Sequence, residues 1–191
     1  MDSTIGLFII GTVLVIGYFW YISLIGRRNK ALEALSSIDV QLKKRHDLLP
    51  NILKLANQFM THERDLLDRL TALRAKVQEG YQPRDPNAVS EHLKAESELQ
   101  AGMLQFFAVA ENYPDLKSQE TITTAQDTFT EVEGHISAAR RFYNSAVTSL
   151  NNAIQIFPGN LIASVAKVEP MPYFEIEESG RKPVDVGDYL K

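Results

Sequence analysis

Residues 35–77 read LSSIDVQLKKRHDLLPNILKLANQFMTHERDLLDRLTALRAKV. Apolar side chains recur in this stretch at alternating steps of three and four: Leu35, Ile38, Leu42, Leu49, Ile52, Ala56, Phe59, Leu66, Leu70, Leu73 and Val77. That spacing sets them on one stripe of an α-helix and predicts a long, coiled-coil-like seam. Two positions on the stripe break the pattern, Arg45 and Glu63, and Pro50 lies within it. Proline removes the hydrogen bond to the carbonyl four residues back, so a helix kinks or breaks there. The stripe keeps its phase across Pro50 with no glycine nearby, which favours one kinked helix and three long helices in all. A tight turn at Asp47 to Asn51 would raise the count to four.

Downstream, Gly80-Tyr81-Gln82-Pro83-Arg84-Asp85-Pro86 is a loop, with Asp85 placed as N-cap and Pro86 at the first helical position. A second helix follows from about Asn87 to Glu111, and Asn112-Tyr113-Pro114-Asp115 breaks it. Asp115 or Ser118 is positioned to cap the next helix. That helix carries large residues at Ile122, Phe129, Ile136, Tyr143, Leu150 and Phe157, beside small ones at Ala125, Val132, Ala139, Ala146 and Ala153. Such paired rows let a neighbouring helix approach closely. Pro158-Gly159 ends it. Residues 159–191 lose the period, and Pro170, Pro172 and Pro183 exclude a long helix. An extended tail is expected there, either draped on the helices or loose.

Upstream, Ile5 to Ile25 contains no charged residue. At 1.5 Å per residue it spans about 30 Å, the hydrocarbon thickness of a bilayer. Tyr18, Trp20 and Tyr21 lie toward one end, where aromatic side chains favour the membrane interface. The start, Met1-Asp2-Ser3-Thr4, lacks the basic opening of a signal peptide, and no small-residue cleavage pattern follows. Arg27, Arg28, Lys30, Lys43, Lys44 and Arg45 follow the span, and no Lys or Arg precedes it. The positive-inside rule then puts the N-terminus outside and the body in the cytoplasm. The expected organisation is a short segment 1–4, a transmembrane helix 5–25, an up-and-down helical bundle 28–158 and a tail 159–191, an all-α protein.

Composition supports a real core: 45% of the 191 residues are hydrophobic and 23% are charged. The formal charge is -4 with both signs mixed, which argues against a nucleic-acid partner. The absence of cysteine removes disulfides, thiolate metal sites, cysteine nucleophiles and a lipidated cysteine anchor.

Several motifs together resemble the LemA family: Ser37-Ile38-Asp39-Val40-Gln41-Leu42-Lys43-Lys44-Arg45, Asp47-Leu48-Leu49-Pro50-Asn51, His62-Glu63, Glu111-Asn112-Tyr113-Pro114-Asp115-Leu116-Lys117, Ala139-Arg140-Arg141-Phe142-Tyr143-Asn144 and Phe157-Pro158. The resemblance runs from the apolar span to about Ala163. Past that point the family often has an aromatic-glycine-aromatic element, where Ala166-Lys167-Val168 stands here. The resemblance implies an N-terminal anchor in a bacterial-type inner membrane and an up-and-down bundle. It implies no enzymatic activity, cofactor or agreed partner.

Chemistry-bearing motifs are sparse. Helical-bundle metal sites use Glu-x-x-His pairs, but Lys43, Phe59, Val89 and Val132 stand three before the four histidines. His62-Glu63 lacks the second histidine of a zincin, and there is no nucleophile elbow or phosphate loop. No cofactor, metal or small-molecule substrate is expected.

The anomalies are therefore polar residues on the seams: Arg45, Glu63 and Glu96, the last between Leu93 and Leu99. They either snorkel to the bundle edge or form a buried network that fixes register. Eighteen residues separate Arg45 from Glu63, about 27 Å along one helix. Partners must come from Glu96, Glu133, Arg140 or Arg141. Arg140 and Asn144, flanking Tyr143, are the expected completion of Glu63. The functional expectation is an anchored adaptor for a membrane or envelope protein. The alternatives are a self-associating, membrane-shaping scaffold and an enzyme, the last without a motif to carry it.

Overall fold

The computed structural model describes residues 2–175, and the side chains from Thr4 onward. The part of the tail from 176 to 191, including Pro183, lies outside the described residues. Those described form helices and connecting turns without strands. They are α1 (Asp2–Phe59), α2 (Arg64–Gln78), α3 (Pro86–Ala110), α4 (Pro114–Lys117), α5 (Glu120–Gln155) and α6 (Gly159–Ala166).

The first helix is 58 residues long and passes through Pro50. Pro50 is exposed, while Leu49 and Ile52 beside it are fully buried. Packing on the inner face therefore holds the helix across a hydrogen bond missing on the outer face. No turn occurs at Asp47 to Asn51, in keeping with the unbroken phase of the stripe. The chain turns instead at Met60 to Glu63. A single stripe drawn through that point merges two helices: Met60, not Phe59, closes the buried face of α1, and Leu66 and Leu67 open that of α2.

The Asp85 side chain accepts hydrogen bonds from the Asn87 N–H, at 2.9 Å, and the Ala88 N–H, so it caps α3. The expected cap of the next long helix is not found. Ser118 spends its hydroxyl on the Asp115 carbonyl at 3.0 Å, and Gln119 stands at the N-cap without a side-chain bond. At the other end α5 stops at Gln155, and Ile156 is extended. Phe157 is consequently not a seam residue but 73% exposed. The eight-residue α6 was not expected, because two turns are too short to display a period. It ends on Lys167, which is left-handed with φ 51°. Gly159 is required where it stands, since a Cβ there would collide with the Ala153 carbonyl oxygen.

The long α1 packs along α5, α2 packs on α3, and α6 packs on both α1 and α5. Two apolar clusters result. One gathers Leu49 to Ala56 of α1 and Met60 of the turn with α2, the C-terminal part of α3, and Ile122 to Phe129. The other gathers Leu24 to Leu42 of α1 with Val89, Leu93, Val132 to Leu150 and the tail. Leu24 is 2% exposed, so the apolar span and the body share residues and no break separates 5–25 from 28–158.

The small row on α5 is partly internal: Ala125 and Ala146 are buried, while Ala139 and Ala153 are half-buried. Ala146→Leu is expected to lower stability by about 1–3 kcal/mol through overpacking, and Ala139→Leu by less. Thermal unfolding of the full chain in detergent, followed by circular dichroism, checks the order.

Candidate functional site

A polar layer separates the two clusters. On α1, Arg45 and His46 fall between Leu42 of one cluster and Leu49 of the other. Glu96 on α3 and Glu133 on α5 occupy the matching level. Arg45 and Glu96 are both 0% exposed. The Arg45 guanidinium donates to Glu96 Oε2 at 2.5 Å, to the Glu96 carbonyl at 3.0 Å and to Glu133 Oε1 at 2.8 Å. One cation is thus shared by three helices. Gln100 completes the outer side, donating to Glu133 Oε2 at 2.7 Å.

His46 Nε2 lies 2.7 Å from Glu96 Oε1, although the ring N–H is not aligned on that oxygen. Burial pushes the Glu96 carboxyl up, but the closeness of His46 and the Arg45 charge more than reverse this. Its pKa therefore lies below the ordinary carboxylate value. Farther along, His92 stands 3.8 Å from Glu96 and 3.7 Å from Asp39. Tyr81 stacks on His92 with centroids 4.1 Å apart and donates its hydroxyl to Asp39 at 2.8 Å. Burial, then the Asp39 charge, holds the Tyr81 phenol protonated well above its ordinary range.

This arrangement binds helices to one another. Each charge is matched by an opposite charge or a hydrogen bond, and among the described residues no three His, Asp or Glu side chains are grouped to hold a metal.

The other expected members lie elsewhere. Glu63 is half-buried at the α1–α2 turn and accepts from the Tyr113 hydroxyl at 3.2 Å. It does not meet Arg140 or Asn144. The turn at Met60 to Glu63 leaves it at the far end of the first cluster, away from the middle of α5. Arg140 sits over the Phe174 ring, 4.2 Å from its centroid, and Asn144 holds the backbone of the same residue. These two residues belong to a docking track for the tail. Asn144 donates to the Phe174 carbonyl at 3.1 Å and accepts from its N–H at 2.9 Å. One heptad later on α5, Asn151 does the same to Met171, at 2.9 and 3.0 Å. Between them the Tyr143 hydroxyl donates to the Pro172 carbonyl at 2.8 Å. Seven helical residues rise about 10.5 Å and three extended residues about 10 Å, so the two gripping points stay in register.

Of the polar layer, His46, His92, Gln100, Tyr81 and Asp39 are not singled out by the sequence, nor is Asn151 of the tail track. One signal was present: His92, Glu96 and Gln100 recur at steps of four, which aligns them on one face of α3. That spacing is not the Glu-x-x-His step of a metal site, and it serves here to align a hydrogen-bonding face.

The family model described as LemA family matches residues 34–187. The chain belongs to the LemA family. The matched region opens eleven residues before Arg45, contains the whole polar layer and the tail track, and extends past Ala163, where the sequence resemblance was expected to fade. "Protein LemA" of Metamycoplasma hominis is 27% identical over 189 residues, covering 95% of this chain and 83% of the relative. Two proteins of Paramagnetospirillum magneticum, "Magnetosome protein MamQ 1" and "Magnetosome protein MamQ 2", are each 29% identical over 80 residues. Those matches cover 42% of this chain and 29% of each relative.

Proposed function

We propose that this LemA-family protein is a non-enzymatic, membrane-anchored helical scaffold that presents its body to a membrane or envelope protein at a fixed orientation. The observation that carries this reading is the unbroken α1, which runs from the apolar span into the core of the body. A flexible linker would let the body tumble over the membrane. A continuous helix, with Leu24 packed in the core and Arg27 bonded to Ser149 of α5, transmits the orientation of the span to the whole body. The span itself is exposed: the most apolar 18-residue window of α1 has mean hydropathy 2.2 and is 0% buried, which suits a lipid surrounding better than water. The interior polar groups are used in holding helices together, which supports a structural role over catalysis.

The body is proposed to fold as an up-and-down bundle on the cytoplasmic side of a bacterial-type inner membrane. The basic residues from Arg27 to Arg45 favour that side. A reporter active only in the cytoplasm, fused after Lys191, is expected to work; activity only of an externally active reporter would reverse the topology. Cross-linking in native membranes tests the adaptor role. A partner recovered at fixed stoichiometry supports it, whereas a ladder of this chain alone would replace it with a self-associating scaffold.

A further inference from the structure

Four large apolar side chains are exposed where α5 turns into α6: Ile156 at 59%, Phe157 at 73%, Leu161 at 60% and Val165 at 88%. Leu161 and Val165 are four apart and share one face of α6. Their level relative to the span is fixed by two contacts. Arg27 of α1 bonds Ser149 of α5, and the two helices run in opposite directions from there. At the corner itself, Gly159 packs against the Trp20 ring, 3.7 Å from where its Cβ would stand. Trp20 lies inside the apolar run, five residues before its end at Ile25, or about 7.5 Å along the helix. A span that places Ile25 at the hydrocarbon edge therefore carries this corner into the bilayer, at the depth of about 5–10 Å typical of interfacial helices.

Beside the corner is a cavity of about 310 Å³ lined by Arg28, Arg84 and Lys167, with Asp85 and Glu169 as the opposing charges. None of the three basic side chains has an ion pair or hydrogen bond to another described residue, and the Arg28 Nε is buried without a partner. Asp85 is already engaged as the cap of α3. Arg28 follows Ile25 by three residues, about 4.5 Å beyond the hydrocarbon edge, where lipid phosphates lie. We infer that the α5–α6 corner is a second membrane contact, inserted beside the span, and that the adjoining cavity takes the headgroup of an anionic phospholipid.

This inference rests on α1 spanning the bilayer, so the test reads the two separately. The chain has no cysteine, which permits single labels of an environment-sensitive fluorophore at Leu14→Cys, Val165→Cys and Val40→Cys. All three sites are exposed, so labelling leaves the core intact. The full-length protein is reconstituted into phosphatidylcholine vesicles with and without phosphatidylglycerol, carrying lipid-borne quenchers. The labels at Leu14 and Val165 are expected to emit at shorter wavelength and to be quenched, at deep and shallow positions respectively, while the label at Val40 stays aqueous. Phosphatidylglycerol should be retained by the detergent-purified protein, resist displacement by inorganic phosphate, and be lost when Arg28→Gln, Arg84→Gln and Lys167→Gln are combined. A bilayer signal at Leu14 with an aqueous one at Val165 overturns the second contact and leaves the anchor standing. An aqueous signal at Leu14 overturns both. Lipid retention unchanged in the triple variant, or displacement by inorganic phosphate, overturns the headgroup site.

Discussion

Glu96→Ala is expected to destabilise the protein by about 3–5 kcal/mol, among the largest effects of any single polar substitution in the chain. The loss is not the worth of the ion pair. It is the cost of leaving the Arg45 guanidinium, 0% exposed, with Glu133 as its remaining carboxylate and without the bond at 2.5 Å. Arg45→Met combined with Glu96→Leu removes both buried charges together. That pair is expected to recover most of the loss, because apolar side chains of similar volume replace buried ion pairs at little or no cost. A double variant no more stable than Glu96→Ala would mean that the layer is held by something other than charge matching. The linkage to pH has a definite sign. The folded-state pKa of Glu96 lies below the ordinary 4.5, so its contribution is fully present above that value. It is lost as pH falls through the lowered folded pKa. Denaturant unfolding between pH 7 and pH 3 should show a shallower acid loss in Glu96→Gln than in the wild type.

The layer was half legible in the sequence, for a physical reason. A charge on an otherwise apolar stripe signals either burial with a partner or escape to the edge, and Arg45 and Glu96 carried that signal directly. Glu63 carried the same signal and ended in a different environment, because periodicity is blind to a turn that preserves phase. Thr61 and His62 contain neither proline nor glycine, so nothing local marked the end of α1. Pro50 allowed a break, but the unbroken phase of the stripe favoured a continuous helix, and α1 does run through it, held by buried neighbours on the opposite face. The corner at α6 was hidden by its shortness, and its need for glycine at 159 depends on a carbonyl six residues earlier. His46 and His92 lack metal-ligand spacing, and their role beside Glu96 depends on how α1 and α3 face each other. That relation is tertiary, and no single-helix pattern contains it.

Phe174→Ala is expected to cost about 3–5 kcal/mol, the range for removing a buried aromatic ring, if the tail is part of the folded core. Three observations set this expectation. Phe174 is 2% exposed and packs with the cluster that includes Leu35, Ile136 and Tyr143. Its ring carries the Arg140 guanidinium, and its backbone is held at both polar groups by Asn144. Burial pulls the Arg140 pKa below its ordinary value, opposed by the Glu133 charge, so the ring face shelters a cation already short of water. Asn151→Leu tests the main-chain grip without touching the ring. It leaves the N–H and carbonyl of Met171, itself 5% exposed, without their partner, at about 1–3 kcal/mol for each group left unsatisfied. The two effects should not add, because losing either anchor frees the same short segment from Val168 to Glu175. Hydrogen exchange at the Met171 and Phe174 amides distinguishes a tail that opens locally from one that unfolds with the body. Protection equal to that of the α5 core supports a cooperative element. Rapid exchange, together with a Phe174→Ala melting temperature equal to wild type, would reduce the tail to a surface attachment.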